Sequence, residues 1–172
     1  NQLTEEMDIF NQLTFGIQNQ EFEVYLQPKI NFETIQVEGF EGLSRWNSSK
    51  LGFVSPINYI PIAEQSGRIK DIDLLNLTTI LQWLQDRLDA GKKIVPVSLN
   101  ISPDHFYEPQ FLDTIIRIFN QFNVPAKYIK LEVTESIELV DFTKAKAILE
   151  KLNDLGIESS IDDFGVGFSS LS

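Results

Sequence analysis

Four residues with oxygen-bearing side chains, Glu41, Asn100, Glu132 and Asp162, each fall at or near the end of a different segment with strand character. No His or Cys stands among them. An all-oxygen set suits a hard cation such as Mg²⁺ or Mn²⁺ better than zinc. A cation held by carboxylates polarises a phosphoryl oxygen and lowers the pKa of a bound water, and a pair of cations stabilises both oxygens of a phosphodiester displacement. The last of the four opens the stretch Asp162-Asp163-Phe164-Gly165-Val166-Gly167-Phe168-Ser169-Ser170. Neighbouring strand residues point to opposite faces, so one Asp of the pair faces a site while the other faces the following turn. The Gly-x-Gly turn has backbone angles closed to other residues and lets a ligand approach. Two crowded carboxylates are costly unless a cation or a proton offsets their repulsion.

Each residue also has a plainer reading. Glu41 alone is an exposed acid at a strand end, Asn100 a turn former, and Glu132 a partner for Lys130 on the same strand face. Asn47-Ser48-Ser49, Asn76-Leu77-Thr78 and Asn100-Ile101-Ser102 match glycosylation sequons, which carry no meaning in a cytoplasmic chain. Arg45 stacks on adjacent Trp46 in its plain reading. His105, the single histidine, is a surface or packing residue in a helix's first turn, and Phe106, Phe111, Phe119 and Phe122 are core.

The elements that carry these residues follow from periodicity. Leu3, Met7, Phe10, Leu13 and Ile17 predict a helix over residues 3–18. Phe22 to Ile30 and Ile35 to Leu43 read as strands. Their four-residue link is too short for a parallel crossover, so they form an antiparallel hairpin. After a turn-rich stretch from Asn47 to Pro56, a short helix from Ile57 to Gln65 closes at Gly67. A longer one carries Leu77, Ile80, Leu81, Leu84 and Leu88 and stops at Gly91. Ile94 to Leu99 is a strand with Pro96 near its start. Ser102-Pro103 caps one helix running through Phe106, Ile115, Phe119 and Phe122. Tyr128 to Thr134 is a strand, Ala145 to Leu155 a helix ended by Gly156, and Ile157 to Asp162 a strand. Repeated strand–helix units imply parallel strands. Five strands are the front part of a (β/α)₈ barrel, which needs eight strands and about 250 residues; a small open α/β sheet is the alternative.

At 172 residues and 42% hydrophobic, the chain buries a sizeable core. Fourteen basic residues against 25 acidic give a formal net charge of -11, which argues against a basic face for duplex nucleic acid. An anionic small ligand would need a metal or a well-placed Arg. The absence of Cys removes disulfides and thiolate metal sites and fits a reducing compartment. No apolar run spans a bilayer and no secretory signal opens the chain. An N-terminal Asn1 in place of Met points to a piece of something longer.

Tyr25-Leu26-Gln27-Pro28, Glu41-Gly42-Leu43-Ser44-Arg45-Trp46, Val97-Ser98-Leu99-Asn100-Ile101-Ser102, Leu131-Glu132-Val133-Thr134-Glu135-Ser136 and the stretch from Asp162 to Leu171 together resemble, in order, the EAL-domain family. The resemblance covers residues 21–172, a partial domain, after a leading helix or linker over residues 1–20. It implies a TIM-like (β/α)₈ barrel with an antiparallel first strand, truncated here after about the fifth strand. It further implies a Mg²⁺- or Mn²⁺-dependent phosphodiesterase that opens cyclic di-GMP to linear pGpG, or, without turnover, a cyclic di-GMP-binding or dimerisation module. By motif, Glu41, Asn100, Glu132, Asp162 and Asp163 are metal ligands, with Glu41, Asp162, Asp163 and Glu135 serving catalysis. Gln27 and Arg45 contact the nucleotide and its phosphate, and Glu135 anchors the loop from Asp163 to Ser170, which couples substrate to metal and to dimerisation. The family implies a cytoplasmic homodimer fused to upstream sensory or signalling domains, its parent in some cases membrane-anchored.

Departures are few. Gly42 replaces the signature's central Ala, Val166 a small or hydroxyl residue, and Phe168 a Tyr. The family's later Lys, Glu and Gln have no counterpart by motif among these 172 residues. The expectation for the chain alone is therefore a sheet with unpaired edges that associates with a neighbour and does not turn over the dinucleotide.

Overall fold

The computed structural model describes residues 1–134 and 142–162. Helix α1 (Gln2–Gln18) begins where the Asn1 side chain accepts from the Leu3 N–H at 3.0 Å. It is followed by the hairpin β1 (Phe22–Asn31) and β2 (Gln36–Ser48), a short β3 (Gly52–Val54), and helices α2 (Pro56–Gln65) and α3 (Ile69–Asp89). Two strand–helix units and a further strand come next: β4 (Val97–Ile101) with α4 (Pro103–Phe106) and α5 (Phe111–Phe119), β5 (Ile129–Thr134) with α6 (Phe142–Asp154), and then β6 (Glu158–Asp162).

The strands form one sheet in the order β1-β2-β4-β5-β6, with β3 paired to β2. Pairing is antiparallel between β1 and β2 and parallel from β2 through β4 and β5 to β6. The hairpin and the parallel repeats match the sequence reading. β3 is additional: it pairs Val54 with Trp46, within the stretch read as turns.

Three further differences have physical causes. β4 starts at Val97, because Pro96 has no N–H for the ladder; its carbonyl instead accepts from the Phe40 N–H at 2.9 Å. The strand also runs one residue past Asn100. The single helix expected after Ser102 is two, α4 and α5, because Pro109 cannot continue a helix and disfavours helical angles at Glu108. Helix α1 buries Ile9, Leu13 and Gly16, leaving Leu3, Met7 and Phe10 exposed. The turn is set by Gly16, where an added Cβ would come within 2.8 Å of Trp46 Nε1, so only glycine lets the helix sit this close to the strand.

Two apolar clusters hold the layers together. The larger lies between the sheet and its helices, joining Leu77, Ile80 and Leu84 of α3 to Val97, Leu99, Leu131 and Val133 of the strands and to Ile148 and Leu152 of α6. The smaller packs α1 and α2 around Trp46 and Tyr59 at the end of β2. Trp46 stacks on Phe22 at 5.2 Å and meets Tyr59 edge-on at 5.7 Å. Among the described residues no helix is long and apolar enough to cross a membrane.

Candidate active site

Strand residues alternate between faces, and here the alternation separates chemistries. On β4 and β5, Val97, Leu99, Ile101, Ile129, Leu131 and Val133 are buried under the helices. The residues between them, Ser98, Asn100, Lys130 and Glu132, occupy the opposite face. The paired register extends this face across the sheet: Gln27 opposes Glu41, Glu41 pairs with Ser98, Ser98 with Lys130 and Lys130 with Glu158. One step along, Asn100 pairs with Glu132 and Glu132 with Ser160; Asp162 is two residues further along β6.

Relative to Glu41, therefore, Asn100 and Glu132 stand two residues further along their strands and Asp162 four. A climb of this kind across adjacent strands is what strand tilt requires of residues at one height in a barrel, where the shear is about one residue per strand. Glu41, Asn100 and Glu132 are each half-buried. Asp163 and Glu135, read from the sequence as metal-site and loop-anchoring residues, lie outside the described residues, as does the loop up to Ser170. Among the described residues, no three His, Cys, Asp or Glu side chains form a cluster. The donor chemistry of the set is carboxylate and amide oxygen throughout, which fits a hard divalent cation.

Arg45 and Gln27 belong to the same polar face. Arg45 donates from Nη1 to the Ser44 carbonyl at 2.9 Å, and its guanidinium lies over the Tyr25 ring, 5.5 Å from the centroid. Its aromatic partner is thus Tyr25 across the hairpin; Trp46, its sequence neighbour, points the other way into the core. Gln27 is exposed opposite Glu41. Lys29, also on β1, donates to Ser98 Oγ at 3.0 Å.

Glu132 has the partner that strand alternation predicts. Lys130 Nζ lies 3.8 Å from Glu132 Oε1 and 3.7 Å from Glu158 Oε1.

One buried polar group was not singled out from the sequence. Asp73 of α3 accepts the Ser102 N–H at 3.1 Å, and His105 Nδ1 stands 3.1 Å from the same oxygen. Burial pushes the Asp73 carboxyl above its ordinary range, opposed by His105 and by the Ser102 N–H. His105 is thus a core residue, edge-on to Phe111 at 5.0 Å. The signal was present: Asp73 and Asn76 interrupt an otherwise apolar stripe at helical spacing. Both line a cavity of about 130 Å³ with Gly42, Arg45, Leu99 and Asn100, so α3 reaches the site's edge. The Ser102 hydroxyl, expected as a helix cap, has no partner among the described residues.

A parallel-dominated α/β sheet opened by an antiparallel strand defines the class: it matches the TIM-like α/β barrel fold. The family model described as EAL domain matches residues 10–172, and the chain belongs to that family. A curated relative, the bifunctional diguanylate cyclase/cyclic di-GMP phosphodiesterase MucR of Pseudomonas aeruginosa, is 29% identical over 167 residues, covering 97% of this chain and 24% of its own. The solved MucR phosphodiesterase in complex with cyclic di-GMP superposes with a TM-score of 0.85 at 29% identity, covering 95% of this chain and 66% of that one. The EAL enzyme Bd1971, bound to cAMP and cyclic di-GMP, gives a TM-score of 0.83 at 34% identity, covering 99% of this chain and 47% of that one. The chain thus spans about a quarter of the length of the curated relative.

Proposed function

We propose that this domain hydrolyses cyclic di-GMP to linear pGpG with the help of Mg²⁺ or Mn²⁺. The observation that carries the reading is the register: Glu41, Asn100 and Glu132 occupy one sheet face on three neighbouring strands, Asn100 paired with Glu132 and both two residues past Glu41. Family membership and the cyclic di-GMP bound to both solved relatives support it.

In this reading Glu41, Asn100, Glu132, Asp162 and Asp163 hold the cation. A cation bound there supplies Lewis-acid polarisation of a phosphoryl oxygen and a water of lowered pKa. Arg45, fixed against the Ser44 carbonyl and the Tyr25 ring, presents its remaining donors to the phosphate. Gln27 offers amide groups to the nucleotide from the neighbouring strand. Glu135 anchors the loop that follows Asp163. The water oxygen forms a new bond to phosphorus, one bridging ester bond breaks, and the leaving oxygen takes up a proton. The domain acts as a homodimer in the cytoplasm, downstream of sensory or signalling domains.

The test is release of pGpG from cyclic di-GMP by the full-length protein with Mg²⁺ or Mn²⁺. Glu41→Ala and Asp162→Asn, each stripping one charge from the shared site, should remove most of the rate. Folded variants with near wild-type turnover would overturn the assignment. Tight binding of cyclic di-GMP without turnover would make the domain a receptor.

A further inference from the structure

The polar face carries a cation of its own beneath the candidate ligands. Lys130 sits two residues before Glu132 on β5, directly opposite Glu158 on β6, in the register row of Glu41 and Ser98. Its ammonium stands between two carboxylates at nearly equal distance, 3.8 Å from Glu132 and 3.7 Å from Glu158. The two acids are not equivalent. Glu132 is about one-fifth exposed, whereas Glu158 is 70% exposed and belongs to no proposed ligand set.

We infer that Lys130 is a built-in competitor of the divalent cation for Glu132, with Glu158 holding its ammonium once the cation takes that carboxylate. The inference rests on the metal-site reading above. A carboxylate oxygen engaged by an ammonium is less available as a ligand, and a lysine near a doubly charged ion repels it. Without a second partner, a displaced Lys130 would be left facing a cation alone. Glu158 is already within reach, so displacement needs little movement. The device sets how much free cation the site requires, leaving the ligands themselves unchanged.

The experiment is titration of the full-length protein with Mn²⁺, read by electron paramagnetic resonance of the free ion, without substrate or turnover. Since an ion pair this open is worth up to about 1 kcal/mol, Lys130→Met should bind Mn²⁺ about two- to fivefold more tightly. Glu158→Gln, which confines Lys130 to Glu132, should bind it more weakly. The double variant Lys130→Met/Glu158→Gln has the net charge of the wild type, so a simple field effect predicts wild-type affinity. Competition predicts that it still binds more tightly. A double variant equal to wild type, or a Lys130→Met no tighter than wild type, overturns the inference and leaves the metal site standing. Wild-type protein that takes up no Mn²⁺ overturns the metal site and the inference together.

Discussion

Gly42 and Ile80 share one methyl's worth of space. A Cβ on Gly42 would lie 2.9 Å from Ile80 Cδ1, 3.3 Å from the Ser98 carbonyl oxygen and 3.4 Å from Val24 Cγ1. The signature alanine that Gly42 replaces is thus compensated by the tip of an isoleucine reaching in from α3. The two positions should therefore couple. Ile80→Val alone should cost about 1 kcal/mol by opening a gap, and Gly42→Ala alone about 1 kcal/mol by overpacking. Together they should cost less than their sum, and urea denaturation of all four proteins reads the coupling. Strict additivity would show that Ile80 does not fill the alanine's place.

The substrate side makes a separate prediction. Since the Tyr25 ring supports the Arg45 guanidinium, Tyr25→Leu should weaken cyclic di-GMP binding roughly two- to fivefold, the worth of an open cation–π contact. Arg45→Lys should weaken it more, because an ammonium cannot reproduce the planar fork. Calorimetric titration with the nucleotide in the absence of divalent cation measures both. A Tyr25→Leu variant at wild-type affinity would show that the stacking does not orient Arg45.

Glu21 clips the end of α1 to the end of β2. Its carboxylate accepts from Trp46 Nε1 at 3.2 Å and from the Ser49 N–H at 2.8 Å, and its carbonyl accepts from the Asn47 N–H. Burial works against its charge but is outweighed by the hydrogen bonds from Ser49 and Trp46, so its pKa falls below the ordinary 4.5. With a lowered folded pKa, the stabilisation is present above 4.5 and is lost as pH falls through the folded value. Glu21→Gln should thus cost about 1 kcal/mol or less at pH 7, given how open the group is, and progressively less in acid. Thermal melts at pH 7 and pH 3.5 compare the two proteins; a gap that widens in acid would contradict the clip.

Asp73 has the opposite sign. Because its folded pKa is raised, stability from the protonated form is full below 3.8 and is lost as pH rises through the folded value. The charge is therefore a burden at neutral pH, eased by His105 and Ser102. Glu64 is likewise raised, by burial and by the charges of Asp104 and Asp73. Asp73→Asn keeps an acceptor for the Ser102 N–H and should lie within about 1 kcal/mol of wild type at pH 7. Asp73→Leu leaves that buried N–H unpaired and should cost about 2–4 kcal/mol. Denaturant titration distinguishes them, and equal losses would mean that shape, not hydrogen bonding, matters at this position.

The fold was legible wherever period and punctuation agreed. The hairpin followed from a four-residue link, and the helix ends from Gly67, Gly91 and Gly156, all with positive φ. Pro96 and Pro109 were visible, but where they would cut a strand and a helix depended on ladder partners that no local pattern reveals. The α1 stripe was misjudged because Gly16, which scores as nothing in an apolar count, decided which side could meet Trp46. For the candidate site, Glu41, Asn100 and Glu132 were each placed at or near a strand end from sequence. The register puts them on one face, but β2 pairs on to Ser48 against β1 and β3, which leaves Glu41 in mid-strand. Asp73 was missed because a single acid in an apolar stripe has no local partner; Ser102 and His105 come from a different unit about 30 residues on.

The apolar residues of β4 and β5 protect more than a core. A slip of either strand by one residue would drive Asn100 or Glu132 beneath the helices and turn Leu99, Leu131 or Val133 toward solvent. Both halves of that exchange are heavily penalised. The alignment of the candidate ligands is therefore guarded by side chains that never touch a ligand. One inserted or deleted residue within these strands would cost the protein its site and its interior together, whereas the same change in the hairpin tip at Phe32 to Ile35, where both residues are exposed, would be borne lightly.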